Sequence, residues 1–316
     1  MRAAVAALAL TLLVAPDAGA VTVSGGPHRA EVIGIQKGGG FSSDGTRFVA
    51  YNRDDRTIRV YDSRRRRSFD IASPCAVAST RGADGHFLVN CPSARDVTQE
   101  LLNVRQRRVR SLPAGSARGS YYEMGRHWLR GWRDDESSDG VVVYLNWRTG
   151  KEVEVPLSED RVAPRDIYSR GLEPVRGLPV GVFLLGREDG RSLFQQLDSS
   201  GRSETLNLWG RGRRIRLAKS CIHQCGDTSG LAGGRVAWSR PARGSAWAVR
   251  GYSVRSEKRV AWRVEDVPDP DAVQIMQVGH TREMIVFGAL TGTRYANYGG
   301  QTFELPKSYR IYAARW

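Results

Sequence analysis

The chain has 316 residues, 41% of them hydrophobic and 26% charged, with 35 glycines and four cysteines. That balance excludes a disordered chain and allows one large core or several small ones. The formal charge of +15 draws polyanions through a long-range field, although 43 Arg against 5 Lys is a ratio that a GC-rich genome also produces.

Arg2, an apolar stretch over residues 3–15, Pro16 and then Ala18-Gly19-Ala20 have the layout of a secretory signal peptide cleaved before Val21. The apolar stretch falls short of the ~20 residues that span a bilayer, and no later stretch reaches that length. No cysteine follows the cleavage point to carry a lipid. The reading is therefore a signal peptide over 1–20 and a single domain over 21–316, secreted to the exterior or the cell envelope, with no membrane span.

Residues 21–23 and 31–35 are strand-like, and Gly38-Gly39-Gly40 makes a flexible lead into the first clear unit. That unit is Phe41-Ser42-Ser43-Asp44-Gly45-Thr46-Arg47-Phe48-Val49-Ala50-Tyr51, followed by Thr57-Ile58-Arg59-Val60-Tyr61-Asp62. An Asp-Gly turn joins two strands and a third follows. The block recurs imperfectly. Unit two has strands at 75–78, 86–91, 99–104 and 108–112, again with an Asp-Gly turn at Asp84-Gly85. Unit three has strands at 121–124, 127–132, 141–147 and 152–155; unit four at 181–186, 192–198 and 204–206. Unit five has strands at 230–232, 235–238, 246–254 and 259–262, and unit six at 274–277, 283–287 and 309–312. Third strands aligned at Tyr61, Leu102, Leu145, Leu197, Tyr252 and Tyr312 are spaced by 41, 43, 52, 55 and 60 residues. Four short strands per unit at such a period predict an all-β, six-bladed β-propeller, with a seven-bladed ring as competitor if residues 156–180 hide a weak strand pair. Unit six lacks its outer strand, so an N-terminal strand is expected to complete it and remove two exposed edges.

The pattern Phe41-Ser42-Ser43-Asp44-Gly45 with Phe48-Val49-Ala50-Tyr51 and Val60-Tyr61-Asp62 downstream is similar to the repeat of TolB-like six-bladed propellers. That repeat usually reads Ser-Pro-Asp-Gly. Here Ser43 replaces the proline, and only units one and two keep Asp-Gly at this turn. The resemblance covers most of residues 21–316 as architecture and implies no activity, because such propellers are partner scaffolds or enzyme halves.

Four cysteines in an exported chain are expected in disulfides. Cys75 and Cys91 flank the turn 81–85 symmetrically about Ala83, which sets them opposite each other across a hairpin; Cys221 and Cys225 then close a small loop. A metal site at Cys221, His223 and Cys225 would need reducing conditions and a further ligand, so no metal and no cofactor is predicted.

Catalytic patterns are weak. Gly226-Asp227-Thr228-Ser229-Gly230 lacks the Gly-x-Ser-x-Gly spacing and its strand–turn–helix setting, and no catalytic residue is predicted. Loop position says more. The third-to-fourth turns of units one and two carry Arg64, Arg65, Arg66 and Arg67, and Arg105, Arg107 and Arg108. Neighbouring blades should merge them into one basic patch for an anionic polymer of the envelope or, as a weaker candidate, nucleic acid. No aromatic residue interleaves with the arginine run, which counts against single-stranded nucleic acid. Second strands end on the opposite face in Arg53-Asp54-Asp55, Arg133-Asp134-Asp135 and Arg187-Glu188-Asp189, which align as equivalent positions. Two long loops are expected on that face: residues 209–226 with Arg211, Arg213 and Arg214, and residues 290–308 with Tyr295 and Tyr298. The expected protein is a secreted, monomeric scaffold that binds a protein partner or an anionic envelope polymer through face loops, without catalysis. The alternative is a lyase or hydrolase working in a central pocket, which requires titratable groups on the inner strands, where Glu123 is the candidate acid.

Overall fold

The computed structural model describes residues 21–36, 40–78, 81–93, 97–113, 120–125, 127–133, 141–156, 182–197, 203–210, 212–221, 229–242, 246–266, 273–298 and 301–316. They form six four-stranded antiparallel sheets arranged as the blades of a propeller. Blade one consists of Phe41–Ser43, Phe48–Asp54, Thr57–Asp62 and Arg67–Ala72, from the inner strand outward. Blade two consists of Ala76–Val77, His86–Pro92, Val97–Asn103 and Arg108–Ser111, and blade three of Ser120–Met124, Trp128–Arg133, Val141–Asn146 and Glu152–Pro156. Blade four consists of Val182–Glu188, Arg191–Leu197, Ser203–Gly210 and Arg213–Cys221. Blade five has Arg235–Pro241, Trp247–Ser253 and Arg259–Asp266, with Val21–Ser24 on its outer edge. A short inner segment attaches to it through the Ser229 amide on the Ala237 carbonyl and the Ala232–Arg235 bridge. Blade six has Val273–His280, Met284–Tyr298 and Gln301–Arg315.

The ring closes as the sequence predicts. Glu31–Gln36 is the fourth strand of blade six, with Glu31 opposite Ala313 and Gln36 opposite Tyr309. The Tyr51 hydroxyl of blade one donates to the Ile33 carbonyl, and Gly34 lies so close to that ring that any side chain would strike it. Residues 21–24 do something the sequence does not announce: they pass on to blade five, where Val21 pairs with Asp266. Trp262 holds the intervening segment, its indole N–H donating to the His28 carbonyl at 2.8 Å.

Both faces of blades one, two, five and six are covered, which explains their unbroken apolar strands. In Phe48-Val49-Ala50-Tyr51, Phe48 and Ala50 point to blade two, where they meet Phe87, Val89 and Leu102. Val49 and Tyr51 point the other way, to Val286, Tyr309 and Ile311 of blade six. Similar cores join blades two and three, four and five, and five and six. The Cys75–Cys91 disulfide sits in the core between blades one and two, its Cα atoms 4.1 Å apart.

Blade four corrects the sequence alignment. Residues 182–188 are its inner strand rather than its second, and Leu197 ends the second strand rather than lying in the third. The backbone explains why: Asp189 and Gly190 both have positive φ (48° and 71°), as Asp84 and Gly85 do (49° and 76°). Asp189-Gly190 is thus the counterpart of the Asp-Gly turn, and Arg187-Glu188-Asp189 is not equivalent to the second-strand ends of blades one and three. Two expected loops also prove to be strands. Arg213–Cys221 is the outer strand of blade four, and Thr291–Tyr298 pairs with Gln301–Ser308 as a hairpin continuing blade six. The signal-peptide region, Arg211, His223 and Cys225 lie outside the described residues, as does the proposed Cys221–Cys225 bridge.

Candidate anion-binding cleft

Third-to-fourth turns repeat a local design. The residue ending the third strand caps the turn: Asp62 accepts the amides of Arg64 and Arg65, Asn103 that of Gln106, and Asn146 those of Arg148 and Thr149. Four residues later the chain enters the left-handed region at Arg66, Arg107 and Gly150 (φ 51°, 52° and 77°). Side-chain capping of this kind fixes the turn without sheet bonds. It leaves the arginines of the turn free to project.

Between the turns of blades one and two lies a cleft of about 700 Å3. Phe48, Phe69 and Val104 make it apolar, and Arg47, Arg65, Arg67, Arg105 and Arg107 surround them. Asp62 is the one carboxylate of the lining, and it is already engaged. Its two oxygens take the Arg47 guanidinium as a fork, at 3.0 and 2.6 Å. Burial pushes the Asp62 carboxyl up, but the Arg47 fork and the Arg65 and Arg64 amides outweigh it and hold the group below the ordinary carboxylate range. Arg47 also covers the Phe48 ring at 4.9 Å, and Arg107 covers Phe69 at 4.8 Å. Arg67 and Arg105 have no carboxylate partner among the described residues. Apolar walls under guanidinium groups strengthen those charges' pull on an incoming anion.

Of the seven arginines predicted on these turns, Arg65, Arg67, Arg105 and Arg107 line the cleft. Arg66 turns away to Glu31 on the closing strand, Arg108 donates to Gln106, and Arg64 is exposed outside the lining. Sequence reading missed Arg47. It follows the Asp44-Gly45 turn, and first-to-second turns share a face with third-to-fourth turns, so that position was available as a signal. Arg213 and Arg214 also move to this basic face, because they begin an outer strand. Arg213 pairs with Glu257 at 3.3 Å; Arg214 donates to Asn207 and covers Trp209. Tyr295 and Tyr298 lie opposite Glu304 and Gln301 in the blade-six hairpin; their side chains are outside the description.

On the same face the first-to-second turns converge and pack the end of the ring axis. Asp44 is fully buried: Oδ1 accepts the amides of Thr46, Arg47 and Phe48, and Oδ2 accepts that of Gly85 in blade two at 3.1 Å. Burial still pushes its carboxyl above the ordinary value. Glu188 takes the amides of Gly233 and Gly234 in blade five. Arg81 of blade two reaches the Leu185 carbonyl of blade four at 3.1 Å, and a side chain at Gly45 would strike Ala232 of blade five.

Ser229, from the segment that resembled a nucleophile loop only faintly, lies 2.7 Å from Nδ1 of His280. Nε2 of that ring donates to the Ala232 carbonyl at 2.8 Å, so Nδ1 is the acceptor. The Ser229 oxygen also accepts the Ala237 amide at 2.9 Å. Burial lowers the His280 pKa to about 4, too acidic for a base working near neutrality. The pair ties the inner edges of blades five and six together.

No protein-family model matches the chain, and no curated protein is similar to it in sequence. Solved structures of similar shape include TolB from Acinetobacter baumannii, at 11% identity over 73% of this chain and with a TM-score of 0.39. This chain spans 55% of that structure's length. Hsv2 of Kluyveromyces lactis is similar at 7% identity over 89% of this chain and 99% of its own, with a TM-score of 0.37. The WD40 domain of SCAP from fission yeast is similar at 10% identity over 90% of this chain and 72% of its own, with a TM-score of 0.25. Likenesses this distant carry no functional argument.

Proposed function

We propose that this protein is an exported propeller scaffold whose basic face seats an anionic polymer in the cleft between blades one and two, without chemistry on the polymer. The observation that carries the reading is the composition of that cleft: five guanidinium groups over phenylalanine and valine, against a single carboxylate already forked to Arg47. Arg67 and Arg105, with no carboxylate partner among the described residues, can each take a phosphate, sulfate or carboxylate in two parallel hydrogen bonds. The Cys75–Cys91 disulfide supports an oxidising compartment, in keeping with the leader-like residues 1–20. The repeat of blade one supports kinship with TolB-like propellers.

The test is retention on immobilised heparin and on polyphosphate at rising salt. Replacing Arg67 and Arg105 by Ser should weaken binding by about tenfold or more. Replacing Arg255 and Lys258, exposed on the blade-five turn, removes the same charge and should cost far less. Equal losses from the two pairs reduce the cleft to net charge, and unchanged retention after R67S/R105S removes it altogether. Mass spectrometry of the exported chain tests the leader, with Val21 as the expected first residue.

A further inference from the structure

Blade five carries a second set of cations that the cleft does not use. On its second strand Val236, Trp238 and Arg240 share one face, and the third strand places Tyr252 opposite Val236 and Arg250 opposite Trp238. Val236, Trp238 and Tyr252 pack against Leu193, Leu206, Leu208 and Leu217, so this face looks at blade four. Arg240 is the diagonal neighbour of Arg250 across the strand pair, within reach for long side chains. Arg259, on the same face, donates to the Arg216 carbonyl of blade four at 3.0 Å and covers Tyr252.

Neither Arg240 nor Arg250 forms an ion pair or side-chain hydrogen bond among the described residues. Their Nε atoms and the Trp238 indole nitrogen are all buried without an acceptor. Three orphaned donors on adjacent register positions are expensive when nothing meets them. Two like charges side by side, half out of water, add to that cost. Leu193, Leu206, Leu208 and Leu217 of blade four pack against this face, and the charges that act on Arg250 among the described residues are the cations Arg240 and Arg259. Burial, and then Arg240 and Arg259, lower the Arg250 pKa, the direction expected of a cation lacking its anion.

We infer that Arg240, Arg250 and the Trp238 indole form an oxyanion site between blades four and five, shaped for a doubly charged tetrahedral group, a phosphate or a sulfate. Two guanidinium forks match such a group in charge and geometry, and an indole N–H supplies a further donor. The site is separate from the cleft between blades one and two and does not rest on it.

The probes are inorganic phosphate and inorganic sulfate, exchanged for chloride at constant ionic strength while thermal unfolding is followed. The parent protein should show a saturable rise of about 2 °C at ten times Kd, above the linear rise that excluded salts give any protein. R240Q/R250Q should keep the linear rise and lose the saturable one. In chloride it should be no less stable than the parent, because it sheds two uncompensated charges. R240Q alone, the milder change, should weaken the midpoint by about tenfold or more. R67S/R105S should keep the saturable rise in full. The proposal is overturned if no saturable rise appears, if it survives R240Q/R250Q, or if R67S/R105S abolishes it.

Discussion

The turns that plug the axis at blades one and two and those at blades four and five solve one problem with different residues. At the first pair, Asp44 of one blade caps its own turn and accepts Gly85 of the next. At the second, Glu188 reaches from the end of an inner strand to Gly233 and Gly234 of blade five. In both cases a carboxylate from one blade satisfies amides of its successor. The first acceptor is the aspartate of a recognisable Asp-Gly motif and reaches 41 residues along the sequence; the second is the glutamate just before Asp189-Gly190 and reaches 46. What the fold requires is an acceptor at that point in space, and the chain can supply it from more than one position.

The comparison can be broken by removing each acceptor. Asp44→Ala strands four amides in a sealed site and should cost about 4 kcal/mol, read from urea unfolding. Losing the Cys75–Cys91 bridge, which joins positions 16 apart beside Asp44's interface, should cost about 3 kcal/mol when both are changed to Ser. On the blade-five side the sensitive group is His280. Its folded pKa of about 4 lies below the ordinary 6.5, so the unfolded chain takes up a proton first as pH falls. Stability from this group is complete above pH 6.5 and drains away between 6.5 and 4, by about 3 kcal/mol in total. His280→Gln should flatten that part of a Tm-against-pH curve. Glu188→Ala should cost least, about 1–2 kcal/mol, because its two amides lie in a half-buried turn. If Asp44→Ala and Glu188→Ala cost the same, burial is not what separates the two plugs.

The contrast also explains what could be read from residues alone. Blades one and two were legible because an Asp-Gly turn, alternating apolar strands and a capping Asp or Asn fall at fixed offsets. Closure was legible because blade six visibly lacked a strand. Blade four was misaligned by one strand because Arg187-Glu188-Asp189 imitates Arg53-Asp54-Asp55 in composition, while its φ angles make it a different turn. That slip sent Arg213 and Arg214 to the wrong face. Four of the five cleft arginines were readable from the third-to-fourth turns. Arg47 was missed although its place after the Asp44-Gly45 turn, on the face shared by first-to-second and third-to-fourth turns, carried the signal. The Ser229–His280 pair, 51 positions apart, leaves no local mark.

Residues 31–36 end up beside residues 309–313, and that pairing imposes an order of events. During synthesis residues 31–36 have no strand partner until residues 309–313 have been made. Local hairpins can form as they appear, but the closing strand 31–36 stays unpaired while the intervening blades are added. The finished ring is therefore a late product, and anything that delays the last stretch of chain leaves an unsealed sheet exposed to its neighbours.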